Sequence, residues 1–365
     1  MAGKKFLAAL AVAACAIAGY YYFISSRPPA GEPAVKDAAP EPRRLFPVAH
    51  ENLWGYIDAA GELVIRPTYT YAAEFHDGFA QVLVKERWGY IDTNGTLVIA
   101  PQFEQADRFA EGLARVVLDS SVSEFPGYID RSGKMVLRTE NAEYLGNFSE
   151  GLAAISVNGK FGYIDHHGNT VIEPQFDVAT GYKSGLARVA MRDGDNYRWG
   201  FIDKAGKVVI PLQFEDASDF SEGLAGVHAG ELAGFIDPSG NFVIPPQFEY
   251  VGDFKEGTAP VLQIKFGYVD KTGKMVIPPQ FDFAYPFSEG LARVVVDPGT
   301  GPVTGFIDPA GRFVIEAEFE SAEDFSAGLA RVTMGDYSGY IDSHGKYYWN
   351  LCASCNVPAA PAARP

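Results

Sequence analysis

The chain is short of cysteine, of positive charge and of helical periodicity. Only three of its 365 residues are cysteine, and the long stretch between Cys15 and Cys352 has none. A disulfide framework is thereby excluded for the body of the chain, whose stability must come from packing. Lysine and arginine number 30 against 46 aspartate and glutamate, a formal net charge of −16. Such a field repels a phosphate backbone, so nucleic acid is not an expected partner. Glycine and proline punctuate the sequence too densely for any apolar pattern of helical period to run far. Motifs of chemistry are missing too. There is no nucleophile elbow, no phosphate-binding loop and no His/Cys cluster with zinc spacing. The six histidines (His50, His76, His166, His167, His228, His344) are scattered. The expectation is a protein that is not an enzyme and needs no cofactor or metal.

What the chain has is repetition. The phrase Gly-(Tyr/Phe)-(Ile/Val)-Asp-x-x-Gly occurs nine times, with its aspartates at Asp58, Asp92, Asp130, Asp165, Asp203, Asp237, Asp270, Asp308 and Asp342, 33 to 38 residues apart. A fixed period of this size signals an array of like units sharing one continuous core. In each copy a strand ends at Asp and another begins just past Gly. Asp-x-x-Gly suits a tight hairpin loop in which the aspartate accepts backbone N–H groups and the glycine takes positive φ. The nine aspartates therefore read as structural turn residues. Calcium is the alternative use of repeated Asp, but one carboxylate per copy falls far short of the 6–8 oxygens that ion takes.

Two more phrases follow each hairpin. Pro-Gln-Phe (as at Pro101–Phe103 and Pro246–Phe248) ends the second strand or marks a sheet edge, because proline cannot donate to a ladder. Phe-x-Glu-Gly-Leu-Ala (as at Phe109–Ala114 and Phe287–Ala292) turns tightly and opens a third strand. The recurrent arginines Arg115, Arg188, Arg293 and Arg331 and the glutamates Glu111, Glu150, Glu222 and Glu289 are expected to pair between units. Adjacent apolar residues such as Tyr56-Ile57 and Val64-Ile65 point to both faces of a strand, so hairpins must be sandwiched between neighbours. The expected fold is all-β: eight units of about 35 residues plus a ninth capping hairpin, in an open β-solenoid or superhelix. An eight-bladed β-propeller is the alternative.

Trp54-Gly55-Tyr56-Ile57-Asp58, Trp88-Gly89-Tyr90-Ile91-Asp92 and Trp199-Gly200-Phe201-Ile202-Asp203, with the phrases that follow them, resemble the bacterial WG-repeat family. The likeness covers about Leu53 to Tyr348. Elsewhere Phe161, Phe266, Pro126, Ala233, Thr304 and Ser338 replace the tryptophan, which makes it a packing choice. The resemblance implies β-rich repeat proteins, often exported, and brings no catalytic residues.

The ends read differently. Lys4 and Lys5 precede an uncharged run from Phe6 to Ile24, long enough as a helix to span about 28 Å. It is expected to be a signal anchor or transmembrane segment (residues 1–24), with the repeats across a bacterial inner membrane in the periplasm or outside. Cleavage after Ala16-Ile17-Ala18, or acylation at Cys15 as a lipoprotein, are alternatives that also export the body. Residues 25–47 are a Pro/Ala-rich disordered linker, 48–355 the repeat domain and 356–365 a disordered tail. In an exported chain Cys352 and Cys355 are expected to form a small disulfide.

Three units are 38 residues long, and the extra residues fall at one offset: Asp119–Pro126, Arg192–Arg198 and Asp297–Thr304. Insertions at one offset project from one edge of an array. Phe125, Asp193, Tyr197 and Arg198 are the candidate binding contacts. The expected function is a membrane-tethered, non-catalytic scaffold for a protein or a cell-envelope polymer, of oligomeric state the sequence leaves open. The alternative is a carbohydrate-binding lectin or carbohydrate-active enzyme of the envelope, which two carboxylates and two aromatics in one pocket would favour.

Overall fold

The computed structural model describes residues 44–118, 126–139, 141–335 and 337–350. The expected anchor with Cys15, the linker up to residue 43, Phe125, Cys352, Cys355 and the tail lie outside the described residues. The described residues hold strands and turns, and no helix among them is long and apolar enough to cross a membrane.

The first strands set the pattern: β1 (Leu45–His50), β2 (Leu53–Asp58), β3 (Leu63–Tyr69), β4 (Tyr71–Ala72), β5 (Phe79–Val84), β6 (Arg87–Asp92) and β7 (Leu97–Phe103). β4 to β7 form one antiparallel meander, short strand first, Pro-bearing strand last. Seven more sheets of this kind follow, at residues 105–138, 144–176, 178–214, 216–248, 250–281, 283–319 and 321–350. β1, β2 and β3 make a three-stranded sheet ahead of them. In chain order these are blades one to nine.

The proline marks an edge. Trp88 pairs with Phe103 and Tyr90 with Ile99, so Ala100, Pro101 and Gln102 bulge opposite the single residue Gly89. A Cβ on Gly89 would lie 2.6 Å from the carbonyl oxygen of Ile99, closer than two such atoms ever approach. The same bulge fixes Gly55, Gly162, Gly200, Gly234, Gly267 and Gly305 in their blades.

The core lies between the blades. Each of nine apolar clusters straddles two neighbours, as where Tyr90, Ile99 and Phe103 of blade two meet Phe109, Val116 and Ile129 of blade three. The ninth cluster joins the ends: Phe46, Val48 and Ile57 of blade one pack on Leu329 and Tyr340 of blade nine. Turn contacts close the same circle. A Cβ on Gly95 of blade two would press on Ile65 of blade one, and one on Gly133 of blade three on Ile99 of blade two. One on Gly61 of blade one would lie 2.7 Å from Tyr348 of blade nine.

Buried tyrosines add a third series. Tyr56, Tyr90, Tyr163 and Tyr268 each donate to a main-chain carbonyl of the next blade (Ala73, Asp107, Thr180 and Tyr285) at 2.7–2.8 Å. Tyr340 donates to Pro47 at 3.0 Å, across the junction of blades nine and one. Burial pushes these phenols far above their ordinary range, so they remain neutral donors.

The structure is therefore a closed nine-bladed β-propeller. This corrects the expected open solenoid, and the eight-bladed alternative falls one blade short. The cause is an offset between repeat and blade. The repeated phrase begins at the third strand of a blade, so the first hairpin needs a second strand from upstream. β1 supplies it, starting at Leu45 inside the stretch expected to be linker. The last hairpin completes blade nine and packs against blade one, where a free end cap was expected.

Candidate interaction surface

The strand register gives the ring two unlike faces. Phe79 pairs with Asp92, so the Asp77-Gly78 turn and the Asp92–Gly95 turn leave the blade at the same end. The tip of the β5–β6 hairpin and the link to the next blade leave at the other end. One side is a turn face, the opposite side a hairpin face.

On the turn face all nine repeat aspartates do one job. Each accepts, through Oδ1, the amides two and four residues on, at 2.8–3.1 Å. The closing glycines hold φ between 78° and 84°. The hydroxyl of Ser132 holds the Asp130 carboxyl below its usual range, as the Asn169 amide does for Asp165, the Thr272 hydroxyl for Asp270 and the Arg312 guanidinium for Asp308, each with help from the turn amides. Among the described residues no group of three or more His, Cys, Asp or Glu side chains is placed to hold a metal ion.

The Glu-Gly turns have positive φ at both central residues, as at Glu111 (52°) and Gly112 (83°), the two-residue hairpin geometry that favours Asn, Asp or Gly. Glutamate is a strained choice there. Its compensation is reach: Glu111 accepts the amide of Gly151 in the next blade at 3.0 Å, Glu150 that of Gly185 at 3.0 Å, Glu222 that of Gly257 at 3.1 Å and Glu289 that of Gly328 at 2.8 Å. A base from the next blade's aspartate turn joins several of them: His166 to Glu111 at 3.2 Å, Lys204 to Glu150 at 3.1 Å and Lys271 to Glu222 at 3.0 Å. That position is the first unspecified residue of Asp-x-x-Gly. The signal was a base just after the aspartate, one unit beyond an acidic turn.

The expected Arg–Glu pairing is corrected. Arg115 binds Asp107 of its own blade at 2.7 Å, Arg188 binds Asp219 of the next at 2.6 Å, and Arg293 binds Asp324 of the next at 2.6 Å. Arg331 lies 3.9 Å from Glu323 and 5.6 Å above the Trp54 ring across the closure. These arginines sit in mid-strand on the short-strand side, while the glutamates sit in turns at the blade's end. The two sets never meet.

The hairpin face carries the insertions of blades five and eight. In blade five the ladder simply continues, pairing Arg192 with Tyr197 and Asp193 with Asn196, and residues 192–198 form its tip. Asp193 accepts from Arg198 at 3.2 Å; Arg198 also donates to Glu215, at the root of blade six, at 2.5 Å. The Arg192 guanidinium lies 5.6 Å over the Tyr197 ring. Asp193, Tyr197 and Arg198 are thus brought together, with Arg198 already committed to two carboxylates. In blade eight, Asp297 caps its own loop through the amides of Gly299 and Gly301. Exposed aromatics lie at the same end: Tyr71 stands between Trp54 and Trp88, with ring centres 5.3 and 5.6 Å away.

Cavities open where short-strand edges of successive blades converge. One, of about 280 Å³, brings together Asp216, Asp219, Asp253, His228, Tyr250 and Arg188. It holds three carboxylates but one aromatic ring, and Arg188 occupies Asp219. Another, of about 360 Å³, lies between blades two, three and four.

Nine meandering sheets closed by side-chain packing, with loops of uneven length on one face, define a repeat β-propeller. The matching family is that of the WG containing repeat, found at residues 54–87, 88–120, 127–161, 161–194, 199–228, 234–263, 266–297 and 305–337, and the chain belongs to it. No curated protein matches the chain. Among solved structures it is similar to one described as the eukaryotic initiation factor, at 10% identity, covering 84% of this chain and 96% of that one with a TM-score of 0.61; the likeness bears on the fold alone. Weaker likenesses are to apo AztD from Citrobacter koseri (12% identity, 86% and 95% covered, TM-score 0.40) and Kluyveromyces lactis Hsv2 (11%, 76% and 95%, 0.39).

Proposed function

We propose that this protein is a non-catalytic scaffold that holds a protein or cell-envelope polymer against the hairpin face of its propeller. The single supporting observation is the contrast between the faces. On the turn face, carboxylates are spent on local amides and on the neighbouring blade. The hairpin face carries loops of unequal length and half-exposed aromatics, and loop variation on a rigid ring is how such folds diversify binding. The N-terminal apolar segment would tether this ring to the inner membrane and place it outside the cytoplasm.

The test is loop replacement. Exchanging Arg192–Tyr197 and Asp297–Pro302 for two-residue Asn-Gly turns, which keeps Met191 opposite Arg198 and Val296 opposite Val303, should remove partners captured by crosslinking in intact cells, with the unfolding midpoint nearly unchanged. Mass spectrometry of the captured material separates protein from polymer. An unchanged partner set would sink the reading. Protease added to spheroplasts should digest the propeller if it is exported, and spare it if it is not.

A further inference from the structure

An arginine–aspartate pair recurs at two junctions of the ring, and the junction of blades two and three carries its cation on the opposite blade. At blades five to six and eight to nine, an arginine on the second strand (Arg188, Arg293) reaches an aspartate after the next short strand (Asp219, Asp324). Each arginine also donates to the carbonyl of Ala217 or Ala322. The same two positions at blades two to three hold Gln81 and Arg108. The cation has moved to the other blade and no acid has replaced it.

The consequence is an open cavity of about 360 Å³ lined by Gln81, Arg108, His76, Asn147, Glu74 and Asp107 with two alanines. Asp107 is held by two bonds from Arg115, at 2.7 and 3.2 Å. Arg108 has no ion pair or hydrogen bond among the described residues, and Glu74 lies beyond ion-pair distance from it. Gln81 is 7% exposed, and its Oε1 has no hydrogen-bond partner. The unmet Gln81 acceptor in the interior is costly unless a partner meets it, and the exposed Arg108 guanidinium beside it is free to take an anion. Burial, and then the charge of Arg108, hold His76 below its ordinary value, so a neutral imidazole completes the lining.

We propose that this cavity binds a small carboxylate ligand, with the Arg108 guanidinium taking the carboxylate and the amides of Gln81 and Asn147 taking ligand hydroxyls. A planar guanidinium matches a carboxylate through two parallel bonds. The ligand class is a hydroxy acid, either a sugar acid or a simple aliphatic one. This site is on the short-strand side of the ring and does not depend on the scaffold reading, so either can fail alone.

Isothermal titration of the full-length protein with glucuronate, tartrate and glucose tests the proposal. Binding of glucuronate or tartrate, with no heat from glucose, is the expected result, and the stronger of the two acids identifies the source. Arg108→Gln should weaken it about tenfold to a hundredfold. Gln81→Arg combined with Arg108→Asp rebuilds the pair seen between blades five and six. It should abolish binding while holding or raising the unfolding midpoint. The proposal is overturned if neither acid binds at millimolar concentration, or if either variant binds as well as the parent.

Discussion

Closure of the ring makes a quantitative prediction at the junction of blades nine and one. Phe46 is 7% exposed and meets Tyr340 edge-on, with ring centres 5.3 Å apart and planes at 62°. In a closed ring Phe46→Ala opens a cavity in a packed interface and should cost about 3–5 kcal/mol. In an open array the same side chain would sit on a free end, where substitution costs within about 0.5 kcal/mol. Tyr340→Phe should cost about 1–3 kcal/mol, because it strands the Pro47 carbonyl. In the other eight blades the equivalent carbonyl accepts an amide from the residue after the short strand, as Gln81 does from Ala73 at 3.0 Å. The first blade has no such strand among the described residues, and the Tyr340 hydroxyl takes its place. A double-mutant cycle of Phe46→Ala and Tyr340→Ala in urea, followed by tryptophan fluorescence, should show coupling of about 0.5–1.5 kcal/mol for the ring pair. Additivity within about 0.3 kcal/mol, together with a small cost for Phe46→Ala, would refute closure.

Three further outcomes follow from the blade contacts. Glu222→Ala removes a half-exposed carboxylate from the Gly257 amide and Lys271, and should lower stability by about 1 kcal/mol in the same unfolding assay. Gly89→Ala drives a Cβ to 2.6 Å from the Ile99 carbonyl and should lower the melting temperature more than Gly112→Ala, whose Cβ would meet nothing within 4 Å and whose cost is the strain of φ 83° alone. The aspartate turns set an acid limit. Asp130, Asp165, Asp270 and Asp308 have folded-state values below the ordinary 3.8, so their stabilisation is complete above about pH 4 and lost as pH falls through the lower folded values. Melting temperature should therefore be flat from neutrality to about pH 4.5 and drop below it, and a drop centred near pH 6 would contradict this assignment.

Much of the blade was legible because its rules are local. Asp-x-x-Gly dictates its own hydrogen bonds, Pro-Gln-Phe cannot sit inside a sheet, and adjacent apolar pairs require neighbours on both sides. Closure was not local. It depends on a small rotation per blade summed over nine blades, and a period in the sequence carries no angle. The missing blade was nonetheless written in one segment. Leu45-Phe46-Pro47-Val48 has the form of Thr258-Ala259-Pro260-Val261, the second strand of blade seven. Read as that strand, it would have shown a ninth blade begun upstream of the first tryptophan.

The glutamate turns show the same limit from the side of energetics. Judged within its own hairpin, Glu111 at φ 52° is a poor residue for its place. Judged across the junction, its carboxylate holds an amide 40 residues away and a histidine from the same neighbour. A repeat protein can keep a locally unfavourable residue in every unit when the return comes from the adjoining unit. The return does not need all junctions: Ser184 and Ala327 occupy the same turn position without a carboxylate. Stability spread over nine interfaces in this way leaves individual junctions free to change. The junction of Gln81 and Arg108 is one where the change has left a cation and an amide facing a cavity.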